Sequence, residues 1–282
     1  MPRFGFSSAP SCGILLHTVR LMLSYPHIHP TLVTLGPFQI RWYGVMYILG
    51  FLASYLLVRH QIRKKALGID INGLNDLFLY LVLGLIIGAR LGYCAFYNAS
   101  FYLGHPLKIF AVWEGGMSFH GGLIGVLISG LVFVKTHKAD FWELADLIVV
   151  TAPIGLGLGR LGNFLNAELY GRVTALPWGM VFPSAGDLPR HPSQLYECFL
   201  EGILLFIILW WIKDRPHRKG TLLCLFFFLY SSFRFLVEFL REPDPQLGLV
   251  LSFMTMGQIL SALMCAAGLA LWYLRPSNKT PH

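Results

Sequence analysis

In GRLGNFLNAELYG, Gly159 to Gly171, an apolar run ends in Arg160, Asn163, Asn166 and Glu168. A guanidinium presents a planar fork of donors that matches phosphate or carboxylate oxygens. Arg160 and Asn163 are three apart, so on a continuing helix they share a face and can offer fork and amide to one oxyanion. FRFLVEFLREPD repeats the theme, with Arg234, Glu238 and Arg241 at i, i+4 and i+7. His120, in MSFHGGLIG, is followed by Gly121 and Gly122, which let backbone or substrate come close, and a neutral imidazole can act as a general base near neutral pH. These are groups for holding an anion and moving a proton. Simpler roles remain open for each: Arg160 could snorkel to headgroups or pair with Glu168, Glu238 could neutralise an arginine, and His120 could be an interfacial structural residue.

Such groups need elements to position them, and the composition says which kind. Hydrophobic residues make up 55% of the 282 and charged residues 13%, with a mean hydropathy of +0.61, too apolar for a soluble domain of this length. A membrane span needs about 20 apolar residues. Seven runs qualify: Trp42 to Val58, Leu74 to Tyr97, Ser118 to Val134, Leu144 to Gly162, Tyr196 to Ile212, Thr221 to Leu240 and Thr255 to Leu274. The expected fold is an all-α polytopic membrane protein. Residues 1–40 read as an extramembrane arm, 41–275 as the membrane domain with a loop over 163–195, and 276–282 as a tail. An arginine deep in a span costs roughly 2.5–3.5 kcal/mol on insertion scales and marks a site by default.

Orientation follows from the loops. Arg59, Arg63, Lys64 and Lys65, then Lys135 and Lys138, then Lys213, Arg215, Arg218 and Lys219, then Arg275 and Lys279 fall on one side. The positive-inside rule makes that side cytoplasmic, with the N-terminus outside and the C-terminus inside. Tyr43, Arg90, His120, Arg160, Glu197, Arg234 and Glu238 then converge at the outer leaflet, beside the loop 163–195. The net charge of +8 is thus a topology signal rather than a nucleic-acid footprint.

Other patterns carry less. Gly157, Gly159 and Gly162 match GxGxxG but lie in a membrane run with no βαβ unit, so close helix packing by Gly155, Gly157 and Gly159 is the expectation. The five cysteines form no CxxC pair, and no His, Cys and carboxylate cluster has metal spacing. HPSQLYE, from His191, reads as a helix entry with Pro192 in the first turn, and Gln194, Glu197 and Glu201 form a stripe that must face protein or water.

GRLGNFLNAELYGR, with RWYG at Arg41 to Gly44, MSFHGG, HPSQLYE and FRFLVEFLREPD in this order, resembles the prolipoprotein diacylglyceryl transferases over about residues 22 to 275. Against typical members, residues 1–21 look like an extension, and the loop after Gly171 is short compared with some. The resemblance implies a bacterial inner-membrane enzyme of seven spans with its site toward the outer leaflet. It would move the diacylglyceryl group of phosphatidylglycerol to the lipobox cysteine thiol of a prolipoprotein signal peptide, releasing glycerol phosphate, with no cofactor or metal. Carried over by motif, functional positions fall on Tyr43, His120, Arg160, Asn163, Gly171 and Arg234, supported by Asn166, Glu168, Glu238 and Arg241.

On that reading His120 takes the thiol proton, while Arg160 and Arg234 stabilise charge on the leaving phosphate. Asn163 and Tyr43 orient the headgroup, and Gly171 leaves room for lipid or backbone. A transporter for an anionic solute is the competing class, since intramembrane arginines can line a path. It is disfavoured because the two halves show no repeat and the polar groups gather at one leaflet. A non-catalytic lipid-binding scaffold would keep the arginines without needing His120. The oligomeric state is not legible in the sequence.

Overall fold

The computed structural model describes residues 23–26, 28–35, 38–64, 69–112, 115–242, 249–250 and 254–275. The described residues begin with β1 (Leu23–Ser24), β2 (Thr31–Leu35) and β3 (Phe38–Arg41), then α1 (Trp42–Lys64), α2 (Ile71–Phe96) and α3 (Ala99–Gly104). After a 3₁₀ turn at Pro106–Phe110 come α4 (Phe119–Thr136), α5 (Phe141–Val149), α6 (Ala152–Leu165) and β4 (Met180–Val181). Then α7 (Ser193–Glu197) runs through a π-helical stretch (Cys198–Leu204) into α8 (Leu205–Ile212). The described chain ends with α9 (Thr221–Glu238), β5 (Leu249–Val250), β6 (Met254–Thr255) and α10 (Met256–Leu274). The arm before residue 23 and the tail after 275 lie outside the described residues.

Local chemistry explains the helix starts. Asp70 caps α2 by accepting from the Gly73 amide at 2.8 Å, and Asp140 caps α5 through the Trp142 and Glu143 amides. Thr255 and Gln258 form a reciprocal capping box on α10. Leucines and isoleucines such as Ile48, Leu52, Leu83, Ile87, Leu127 and Leu263 stay exposed on these helices, a surface that hydrocarbon must cover.

Five helices, α1, α2, Ser193–Ile212, α9 and α10, are long and apolar enough to cross a membrane, and the α5–α6 pair, bent by 41°, makes a sixth. The chain is a polytopic helical membrane protein. The span expected over Leu144 to Gly162 is therefore broken. Pro153 in the first turn of α6 interrupts helical hydrogen bonding, and the Thr151 hydroxyl at the break meets Ser54 of α1 at 2.6 Å. The run expected to span from Ser118 is the shorter apolar helix Gly121–Thr136.

Glycines set the tightest helix contacts. A Cβ on Gly88 would lie 2.4 Å from the Gly121 carbonyl oxygen, and one on Gly125 would meet the Gly84 carbonyl, so α2 and α4 touch backbone to backbone. Of the glycines expected to pack α6, Gly157 does so, against Gly202. Gly155 offers its Cα to Gly50 of α1, 3.1 Å from where that residue's Cβ would be, and Gly159 faces open space.

The all-α expectation omitted three small strand pairs. β2 and β3 form a hairpin leading into α1, β1 pairs in parallel with β4 of the 163–195 loop, and β5 pairs with β6. Tyr25, Phe164 and Phe182 form a small core beneath that loop. The Tyr25 hydroxyl donates to the carbonyls of Phe164 at 2.8 Å and Leu165 at 3.0 Å, tying the arm before α1 to the end of α6.

Candidate functional site

Helix α6 carries Arg160 on its last turns, and the site assembles where this end meets α7 and the end of α9. Arg160 Nε lies 2.5 Å from Glu197 Oε2, and its NH2 is 3.8 Å from Glu201 Oε2. The Tyr230 hydroxyl lies within electrostatic reach of Arg160. Arg234 NH1 reaches Glu197 Oε1 at 3.2 Å, and its NH2 lies 2.7 Å from Glu238 Oε2. Arg241 NH1 completes the set, 3.2 Å from the same Glu197 Oε1. Glu238 accepts a further bond from the Thr255 hydroxyl at 2.8 Å.

Three guanidiniums and three carboxylates therefore share one cluster. Glu197 and Glu201 are 1% and 0% exposed, while the arginine side chains keep 14–20% of their surface open. Buried ion pairs of this kind persist only when charges cancel and donors are matched. Here the carboxylates are closed off while the arginine side chains keep some open surface, and that is the surface an incoming anion can meet.

Pairing with Glu168 was one of the simpler roles open to Arg160, and its partner is instead Glu197. Glu168 belongs to a second unit. The Asn163 amide donates to its Oε1 at 2.8 Å and the Asn166 amide to the same oxygen at 3.3 Å. Ala167 and Leu169, on either side of Glu168, have φ values of 54° and 57°, a left-handed conformation that non-glycine residues adopt at a cost. The turn is thereby held in one shape. Asn163 is buried and commits an amide donor to Glu168, so it acts with Glu168 rather than as a free arm beside Arg160.

Tyr43 lies at the start of α1, its ring against Gly162 and its hydroxyl 3.0 Å from that of Tyr47, within electrostatic reach of Glu168 and Arg160. Gly171 is walled in by protein: a Cβ there would come 2.4 Å from the Leu240 carbonyl oxygen and 2.9 Å from that of His191. Its amide donates to His191 O at 2.8 Å, and it bridges to Arg241. The loop is thus stitched to the end of α9 beside the arginine that reaches Glu197.

One expected member stands apart, and another has only its backbone among the described residues. Arg90 spends its guanidinium on the carbonyls of Lys108, Ile109, Gly115 and Gly116, which shapes the α2–α4 connection. Arg90 shares no ion pair with the arginine cluster. His120 has its backbone in the first turn of α4, capped by Ser118, but its side chain lies outside the described residues. Pro192 is the cap of α7 rather than a first-turn residue. His191 meets the Tyr196 hydroxyl at 3.2 Å, and burial pushes its imidazole below the ordinary value.

Sequence reasoning singled out the arginines but did not identify Glu197 as their common partner. The signal was present in the stripe Gln194, Glu197 and Glu201, since carboxylates inside a span need cations. Arg241 falls beyond the end of α9, so the helical spacing with Arg234 did not foretell a shared partner on another helix. Among the described residues, no group of three or more His, Cys, Asp or Glu could hold a metal ion.

A family model described as prolipoprotein diacylglyceryl transferase matches residues 30–274. Relatives named phosphatidylglycerol–prolipoprotein diacylglyceryl transferase are similar along nearly their whole length. One from Desulfotalea psychrophila is 53% identical over 260 residues, covering 90% of this chain and 96% of its own. Another from Geobacter sulfurreducens is 53% identical over 257 residues, covering 91% and 99%. A third from Bordetella parapertussis is 50% identical over 262 residues, covering 92% and 100%. With its polar cluster set at one end of a helical membrane bundle, the chain belongs to the prolipoprotein diacylglyceryl transferase family.

Proposed function

We infer that this chain transfers the diacylglyceryl group of phosphatidylglycerol to a prolipoprotein, the first acylglycerol attachment in lipoprotein maturation. The observation that carries the site assignment is the gathering of Arg160, Arg234 and Arg241 on Glu197. Lipid is a bilayer-borne substrate, and an arginine fork at the end of the bundle can meet its phosphate without removing the acyl chains from hydrocarbon.

The reaction joins the lipobox cysteine sulfur to the glyceryl carbon while that carbon's bond to the phosphate oxygen breaks. The thiol proton goes to a base, and glycerol phosphate leaves with the bonding electrons. A thiol near pKa 8.5 is mostly protonated at neutral pH, so the base matters. His120, at the start of α4, is the proposed acceptor. Arg160 and Arg234 stabilise the charge that grows on the leaving phosphate, an effect that preorganised donors supply most strongly where water is scarce. Asn163, Asn166 and Glu168 hold the turn after α6, Tyr43 orients headgroup oxygens, and Gly171, Glu238 and Arg241 fix the frame.

The site faces the outer leaflet of the bacterial inner membrane, with seven spans, the N-terminus outside and the C-terminus in the cytoplasm. The basic loops support this orientation. Lys219 lies 2.8 Å from Asp140 and 2.7 Å from Glu143, joining two of the loops that the positive-inside rule places in the cytoplasm.

The test is glycerol phosphate release from phosphatidylglycerol vesicles supplied with a lipobox peptide. Arg160→Lys keeps charge but loses the fork, and a fall in turnover of roughly a hundredfold or more is expected from the loss of a preorganised donor set. Wild-type turnover in correctly inserted Arg160→Lys protein would sink the assignment.

A further inference from the structure

We propose that Glu197 is a positioning residue of this reaction, one whose oxygens hold three arginines as a fork for a phosphodiester and whose charge keeps the phosphomonoester product from being retained. The inference deepens the transfer reading and rests on it.

The positioning part is geometric. Oε2 takes Arg160 from α6, and Oε1 takes both Arg234 from α9 and Arg241 from the turn beyond it. Among the described residues, only Glu197 pairs with all three. The backbone at Glu197 is constrained as well. It immediately precedes the π-helical stretch Cys198–Leu204, a widened geometry that recurs at functional sites. Within that stretch a Cβ on Gly202 would lie 2.6 Å from Gly157 Cα. Gly157 is three residues before Arg160 on α6, so this backbone contact sits about one turn from the Arg160–Glu197 pair and leaves it little freedom to separate.

The charge part follows from counting. Arg160, Arg234 and Arg241 are matched by Glu197, Glu201 and Glu238. The substrate phosphodiester carries one negative charge, whereas a phosphate monoester carries about 1.5 to 2 near neutral pH. Coulomb attraction scales with the ligand's charge. Neutralising Glu197 would therefore add one positive charge to the site and strengthen product binding more than substrate binding.

The experiment uses full-length protein with phosphatidylglycerol vesicles, a lipobox peptide and added glycerol phosphate. Glu197→Gln is expected to lower kcat, and to reduce the inhibition constant for glycerol phosphate relative to the KM for lipid by roughly tenfold or more. Glu197→Asp keeps the charge and shortens the arm, so it should lower kcat and leave product inhibition as in the wild type. If Glu197→Gln changes neither quantity per inserted molecule, Glu197 only packs helices and the proposal is overturned. Should the Gln variant fail to insert, the Asp variant decides, and wild-type kcat in it overturns the proposal. An active wild type with an indifferent Gln variant sinks this inference alone; a wild type that forms no thioether sinks the transfer reading with it.

Discussion

His191 is the titratable group outside the membrane spans whose environment bears most directly on the site, because its carbonyl holds Gly171 and its ring meets Tyr196. Burial lowers its folded pKa below the unfolded value of about 6.5. The stability this contributes is complete above the unfolded value. It is lost as pH falls through that value toward the folded one, because the unfolded chain then binds a proton that the folded chain refuses. Thermal unfolding in lipid nanodiscs from about pH 8 to about pH 5 should show a decline that His191→Gln flattens. An identical slope in the variant would place the acid sensitivity elsewhere. At this scale the sequence was informative about which residues matter and less so about their partners. Arg160, Arg234 and Glu238 were legible because charge inside an apolar run has few explanations. Glu197 was visible too, but whether it served Arg160 depended on how α6 and α7 pack, which no local pattern states.

Helices α6, α7 and α9 meet through glycine contacts and a stitched loop, and these are where small substitutions should act most. Gly171→Ala would drive a methyl into the Leu240 and His191 carbonyls. It is expected to cost about 1–3 kcal/mol, the usual range for overpacking, and to lower the melting temperature along with transferase activity. Gly159→Ala, where nothing lies within 4 Å, is the control and should leave the melting temperature nearly unchanged. Equal melting temperatures for the two variants would mean that the loop yields and Gly171 is not a structural stitch. The element-level reading from sequence placed the helices well, since apolar runs of membrane length are a strong signal. It did not foresee the break at Thr151, because Pro153 in a first turn is compatible with an unbroken helix preceded by a cap. Nor did it foresee the strand pairs: β1 and β4 have two residues each, too few for any alternation to register.

The whole molecule separates into two chemically distinct ends. One carries the arginine cluster, the strained turn around Glu168 and the loop tied to Arg241. At the other, Lys219 joins Asp140 and Glu143, and the Asp146 carboxylate accepts from the Gly220 and Leu223 amides. The proposed orientation makes a direct prediction. A cysteine at exposed Asp187 should react with a membrane-impermeant maleimide added to intact spheroplasts, and one at exposed Arg218 only after permeabilisation. The reverse pattern would turn the molecule over and move the site to the cytoplasmic leaflet.

The cluster also sets an order of events during synthesis. Arg160 leaves the ribosome before Glu197, which in turn precedes Arg234 and Arg241. At roughly 5–20 residues per second, α6 waits some seconds with its guanidinium unmatched before the carboxylate arrives. The first six-sevenths of the chain must therefore be tolerated by the insertion machinery as an incomplete charge set. Only the final turn of α9 and the residues after it complete the set, so a chain interrupted just before Arg234 would carry two of the carboxylates, Glu197 and Glu201, against the single guanidinium of Arg160.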